Sequence, residues 1–199
     1  MPKQQRWTVS WPGADGLARA FEPTRQEVAA AAFHLASFYN DAHNQAMMAH
    51  GGDMSQQDVI EHYDGVWDKG GLNFLLELEG NLMGDADLRH VDMATRTAEF
   101  AIMIGQRATQ GRGLGTRFAL MLHAFAFDTL ELERVYITII PANKASRRLF
   151  EKLGYRPDAS EAARAYIDEE NDITMSFGRD QFHRLHAAIG AAIVTEPRR

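Results

Sequence analysis

Hydrophobic and polar positions change period several times along the chain, and each change marks an element. Residues 7–11, Trp-Thr-Val-Ser-Trp, alternate with period two, and residues 17–22 read as a firmer first strand. Pro23 and Thr24 then open a helix. Thr24-x-x-Glu27 has capping-box spacing, and Val28, Ala31, Ala32, Leu35 and Phe38 recur at three- and four-residue steps. This helix is expected to fray near 40–44. After Gly51-Gly52, Ser55 caps a second helix through Val59, Ile60, Tyr63 and Trp67, which Gly70-Gly71 ends.

The middle of the chain reads as strands. Residues 73–78, 82–91 with a bend at Gly84, and 97–104 are joined by short turns, as in an antiparallel meander. A glycine-rich stretch follows, Gln110-Gly111-Arg112-Gly113-Leu114-Gly115-Thr116, and then a helix over 114–130. In that helix Leu114, Phe118, Leu122, Phe125 and Thr129 share one face. The β-branched run 134–140 predicts a central strand, so 97–140 forms a strand–helix–strand unit with a right-handed crossover. A helix over 143–153 turns Ala145, Leu149, Phe150 and Leu153 inward and stops at Gly154. Residues 165–168 and 173–177 read as a hairpin across 169–171. The tail reads as a helix over 181–194, with 196–199 frayed.

Composition narrows the class. Of 199 residues, 45% are hydrophobic and 24% charged, which suits one globular domain. A net charge of −6 argues against nucleic acid as a partner and suits a cationic one. With no cysteine, disulfides, thiolate metal sites and a cysteine nucleophile are excluded. The polar N-terminus and the lack of a long apolar run point away from a signal peptide or membrane span and toward the cytoplasm. The eight histidines show no metal-ligand pattern, so no metal is expected. Between 40 and 70, Asp41, Asp53, Asp58, Glu61, Asp64 and Asp68 face a single basic residue, Lys69. That excess reads either as a solvated helix face or as the wall of a site for a cation.

The glycine stretch carries the chemistry. A glycine turn between a strand and a helix start offers unpaired N–H groups and the positive end of a helix dipole, which together hold phosphate. Gly115 is followed by Thr116-Arg117, so the stretch is not a Walker loop, and Gly111-x-Gly113-x-Gly115 lacks dinucleotide-fold spacing. No Gly-x-Ser-x-Gly elbow is present.

Gln110-x-x-Gly113-x-Gly115 resembles the Gln/Arg-x-x-Gly-x-Gly/Ala motif of the GNAT superfamily of acetyl-CoA-dependent N-acetyltransferases. Asn143-x-x-Ser146-x-x-x-Phe150-x-x-x-Gly154-Tyr155 resembles the family's later helix, and 97–102 is similar to the spermidine and ribosomal-protein N-terminal acetyltransferase subgroup. The resemblance implies an α/β (α+β) fold whose mixed, mostly antiparallel twisted sheet has about six to seven strands flanked by helices. It implies an extension at 1–16, a catalytic domain at 17–178 and a helical tail at 179–199. It also implies transfer of acetyl from acetyl-CoA, the acyl-donor substrate, to a primary amine by direct attack in a ternary complex. The amine would be a small cation or a peptide N-terminus. A non-catalytic acyl-CoA-binding module and a different acyl donor remain open, and a homodimer is compatible with the apolar tail.

In the family the strand before the loop splays from its neighbour and holds the pantetheine arm, which assigns Ile102, Met103 and Ile104. Gln110, Gly111, Arg112, Gly113, Leu114, Gly115 and Thr116 would hold the pyrophosphate, and Asn143, Ser146 and Phe150 would face the cofactor. Taken alone, Asn143 and Ser146 suit helix capping equally. The general base is assigned to Glu99, with His90 second and an ion-paired or structural role open for each. Phe150 stands where many members carry the Tyr that protonates the departing thiolate, so the acid is water, Tyr166 or Tyr155, with simple packing open for both tyrosines, or none is needed because a CoA thiolate is a tolerable leaving group.

Overall fold

The computed structural model describes residues 5–48, 52–105, 109–167 and 171–198. The chain opens with β1 (Arg6–Gly13) and β2 (Gly16–Phe21), followed by α1 (Arg25–Tyr39), α2 (Ala42–Met48) and α3 (Gln56–Asp68). The meander β3 (Leu72–Leu78), β4 (Asn81–Asp92) and β5 (Thr97–Ile104) leads through the glycine loop into α4 (Leu114–Ala124). Then come β6 (Arg134–Ile139), α5 (Lys144–Leu153), β7 (Arg156–Pro157), α6 (Glu161–Arg164), β8 (Ile173–Gly178), α7 (Arg179–Gly190) and β9 (Val194–Arg198). All the strands join one sheet in the order β7-β8-β6-β5-β4-β3-β2-β1-β9, and the β5–β6 pair is parallel.

Alternation along the strands builds a core on each face. Phe74, Leu76, Ala86, Leu88, Ala98 and Phe100 pack beneath α4, α5 and α7 with Phe118, Leu122 and Phe150. On the other face Phe21 and Leu75 meet Val28, Leu35, Val59 and Tyr63 of α1 and α3. Both helices start with the capping boxes their sequence announces, Thr24 with Glu27 and Ser55 with Asp58.

The sheet has nine strands among the described residues, against an expected six to seven, and the added ones lie at its ends. The segment expected to be frayed is β9, which pairs with β1 from Arg6↔Arg198 to Ser10↔Val194. Pro197 fits there because an edge strand does not need every N–H. Arg198 donates to Glu27 and to the carbonyl of Glu22, and its guanidinium lies over Phe21. The last helix therefore ends at Gly190, and residues 6–13 and 194–198 belong to the sheet.

Residues 165–167 do not pair with β8. They form a turn after α6, and β8 pairs with β6 and the two-residue β7 instead. Asp168 and most of the expected turn at 169–171 lie outside the described residues. The helix after the loop also changes character, with a π-helical turn at Phe125–Thr129. Phe125, Ala126 and Phe127 in this turn are fully buried, continuing the buried run 118–124 of α4.

Candidate active site

Two clefts meet at a gap in the sheet. Strands β5 and β6 pair only over Thr97–Glu99 with Arg134–Tyr136, and no further pairing joins them among the described residues. From Phe100 onward β5 pairs with β4 alone among the described strands, so its other edge faces the gap. β4 carries a bulge against β3 next to Gly84, and on its other side β4 runs so close to β5 that a Cβ at Gly84 would collide with the carbonyl of Met103.

The first cleft, about 340 Å³, lies between the glycine loop and α5. Its floor is Ile102, Met103 and Ile104, and Gly111, Gly113, Gly115 and Thr116 form one wall. Gly111 and Gly113 have φ of +76° and +87°, which glycine adopts without strain, and a Cβ at either would meet nothing within 4 Å. Gly113 is the N-cap of α4 and supplies no side-chain cap, so the first-turn N–H groups open toward the cleft. Gly115 has the opposite constraint, since its Cβ would press on Leu149 of α5 at 2.9 Å. Arg148 and Lys152 of α5 add two cationic side chains to the wall. An open loop surface, uncapped donors and nearby cations fit a pyrophosphate.

The polar side chains of both motifs brace this cleft. Gln110 donates to the carbonyl of Ile104 at 2.8 Å and to Asn44 Oδ1 at 3.0 Å. Asn143 accepts from the Ser146 N–H, capping α5, and donates to the carbonyl of Met47 in α2 at 2.9 Å. Leu114 turns into the core, and Arg112 is exposed on the loop.

The second cleft, about 290 Å³, lies on the α1–α3 side. It shares Met47, Met48, Ile102, Met103, Asn143 and Ser146 with the first, so the two connect through the gap. Tyr39, His62, Asp85, Asp87 and Arg89 form its polar wall, and Phe100, Ile137 and Phe150 its apolar one. Asp85 Oδ2 accepts from the hydroxyls of Tyr39 at 2.8 Å and Tyr63 at 3.0 Å. Burial lifts its carboxyl from 3.8 to about 6 against those two bonds. Asp87 is 8% exposed, and its Oδ1 has no hydrogen-bond partner. Burial pushes this carboxyl up to about 7; Arg89 opposes the rise, while Asp85 and Glu99 add to it.

Glu99 stands across from Arg89 in the β4–β5 register and is 3% exposed. It accepts from Arg89 Nε at 2.9 Å and is not among the residues lining either cleft. His90 Nε2 lies 3.8 Å from the same carboxylate. His90 has a φ of +53°, so Arg89 and His90, which a regular strand would send to opposite faces, both reach Glu99. Tyr166 stacks on Tyr136 and lies 3.4 Å from the Thr97 hydroxyl, at the closed end of the β5–β6 pair. Tyr155 is fully buried and bonded to His123 Nε2 at 2.5 Å, on the core side of Phe150. The structure thus gathers Ile102, Met103, Ile104, Gln110, Gly111, Gly113, Gly115, Thr116, Asn143 and Ser146 into one cleft, places Phe150 in the second, and leaves Arg112, Leu114, Glu99, Tyr166 and Tyr155 outside both.

Sequence reasoning passed over Asp85 and Asp87. The acids it weighed, Asp53, Asp58, Glu61 and Asp68, lie exposed on α3 and its approach, and Asp64 pairs with Arg25. The available signal was Gly84-Asp85-Ala86-Asp87-Leu88, two aspartates at period two within a strand, where Asp is uncommon. Among the described residues no group of three or more His, Cys, Asp or Glu is placed to hold a metal, and no helix is long and apolar enough to cross a membrane.

Residues 20–156 match the family model described as an acetyltransferase (GNAT) domain. Spermidine N(1)-acetyltransferase of Escherichia coli (strain K12) is 26% identical over 131 residues, spanning 65% of this chain and 70% of that protein. Spermidine N-acetyltransferase of Vibrio cholerae, solved in complex with CoA and spermine, superposes with a TM-score of 0.66 at 18% identity, covering 83% of this chain and 97% of that one. Mycobacterium smegmatis RimJ, solved with CoA-disulfide, gives 0.68 at 18% identity and covers 96% of both chains.

Proposed function

The chain belongs to the acetyltransferase (GNAT) family, and from that premise we propose that it transfers acetyl from acetyl-CoA to a small cationic primary amine held at Asp87. The carrying observation is the buried Asp87 carboxylate in a cleft that joins the glycine-loop cleft through the β5–β6 gap. Spermidine as the substrate of the E. coli relative and CoA with spermine in the V. cholerae structure support both the donor and the kind of acceptor.

Acetyl-CoA supplies the thioester. The N–H groups of Gly111 to Thr116, with Arg148 and Lys152, hold its phosphates, and the free edge of Ile102–Ile104 holds the pantetheine arm. Asn143 and Gln110 keep the walls of that cleft in place, and Ser146 and Phe150 bound the point where the two clefts meet. From the other cleft the amine donates to the Asp87 carboxylate, whose residue lines that cleft. An alkylamine is mostly protonated near neutral pH, and a carboxylate with a pKa of about 7 is suited to take its proton as the C–N bond forms and the C–S bond breaks. Phe150 supplies no proton. A thiol with a pKa of about 8.5 leaves as thiolate without one.

Thiol release from acetyl-CoA, measured against monoamines, diamines and peptide N-termini, tests the reading. Turnover should be fastest with compact amines. Turnover confined to neutral or anionic acceptors would overturn the assignment of the Asp87 cleft.

A further inference from the structure

Asp87 can serve an amine only if no cation of the protein already holds it, and the nearest cation is close. Arg89 lies two residues on along β4, on the same face, with Nε 3.7 Å from Asp87 Oδ1. The same Nε is 2.9 Å from Glu99 Oε2, and the second arm reaches Oε1 at 3.4 Å. Asp87 Oδ1 is within ion-pair reach of this guanidinium without a hydrogen bond from it, and a short swing would close that bond. We propose that Glu99 is a positioning residue that holds Arg89 off Asp87 and so keeps the Asp87 carboxylate available to the amine. The inference rests on the reading of Asp87 as the amine's partner.

The described surroundings favour the Glu99 side. Glu99 is buried deeper than Asp87 and lies across from Arg89 in register, so strand pairing fixes the geometry. His90 closes on Glu99 from the solvent side at 3.8 Å. Asp87 is faced by Asp85 and Arg89 on its own strand, Glu99 from β5, His62 from α3 at 3.9 Å, and Tyr39 and Tyr63 from α1 and α3. Of these only Arg89 is a permanent cation.

The test is a set of variants assayed for both substrates across pH. In Glu99→Gln the guanidinium should close on Asp87, raising KM for the amine roughly ten-fold, the counterpart of a carboxylate pKa falling by about one unit beside a new cation. The acid limb of the pH profile should move down together with it, and KM for acetyl-CoA should not change. Glu99→Gln combined with Arg89→Gln should lower the amine KM again from its Glu99→Gln value, since the competitor is gone. Glu99→Asp keeps the charge but shortens the reach, and it should raise the amine KM part of the way. It carries the test alone if Glu99→Gln does not fold. A crystal structure of Glu99→Gln should show the guanidinium bonded to Asp87 Oδ1.

Wild-type amine KM in Glu99→Gln, wild-type behaviour of Glu99→Asp, or an unmoved guanidinium would each overturn the inference. Asp87→Asn, run alongside, separates the two failures. If it keeps wild-type turnover and pH profile, the reading of Asp87 has failed; if it loses turnover while the Glu99 variants do not, only the role of Glu99 has failed.

Discussion

Replacing Asp87 by Asn should make the protein more stable and nearly inactive, and both effects follow from one buried carboxyl. Burial raises it from 3.8 to about 7, with Asp85 and Glu99 adding to the rise and Arg89 opposing it. Between those values the native state keeps a proton that the unfolded chain has lost. Stability therefore falls as pH rises from about 4 to about 7 and is level above that. The loss from Asp87 is on the order of 4 kcal/mol, an upper bound because the neighbouring Asp85 titrates with it. Asn has the same shape and no such loss. The Tm of Asp87→Asn should exceed that of wild type by a margin that widens between about pH 4 and pH 7 and is constant above that. Catalysis should move the opposite way. A general base contributes on the order of 10²- to 10⁴-fold, so kcat should fall by that range, and the acid limb near pH 7 should vanish. Thermal unfolding at several pH values and thiol release with the best amine measure the two sides. A variant that keeps about a third of wild-type kcat with its acid limb intact would refute the role of Asp87 as base. A Tm difference that does not grow with pH would refute the account of its burial.

Other perturbations separate the donor site from the acceptor site. Gly113→Asp should raise KM for acetyl-CoA at least about ten-fold while the protein stays folded, because Asp tolerates positive φ and its Cβ meets nothing, whereas its charge faces the phosphates. Gly113→Asn, without the charge, should have a much smaller effect, and equal KM values for the two would show that the loop does not carry an anion. Glu22 is 5% exposed with an unpartnered Oε1, and burial raises its carboxyl to about 8, against the bond from Trp7 and the charge of Arg6. The native state holds that proton between about 4.5 and 8, so Glu22→Gln should raise Tm progressively as pH climbs through that window, by up to about 5 kcal/mol equivalent. Equal Tm gains at pH 5 and pH 8 would contradict this. Arg148→Glu with Lys152→Glu should raise KM for acetyl-CoA and leave KM for the amine unchanged, which steady-state kinetics with each substrate varied would show.

What could be read from the sequence divides along the range of the interactions involved. Thr24 with Glu27, Ser55 with Asp58, and the glycine turn before Leu114 act within a few residues, and their side chains and φ values state their purpose locally. The pairing of β1 with β9 joins residues almost the whole chain apart, and nothing near Val194 announces that Ser10 will lie beside it. The same limit governs the site. The donor cleft is built around a contiguous loop, so its motif was visible. The acceptor cleft takes Tyr39 from α1, His62 from α3, Asp85 and Asp87 from β4 and Phe150 from α5, and only the sheet brings them together. Glu99 shows how much of a residue's setting lies outside its own segment. Its place on β5 was read correctly, but its work depends on Arg89, whose position across the sheet follows from the β4–β5 register. In the proposed reading, the carboxylate that accepts from a guanidinium at 2.9 Å positions that guanidinium, while the one that is buried, raised in pKa and short of a hydrogen bond takes the amine's proton. That proposed division between Glu99 and Asp87 is a property of the sheet register, which sets Arg89 across from one acid and two residues along the strand from the other.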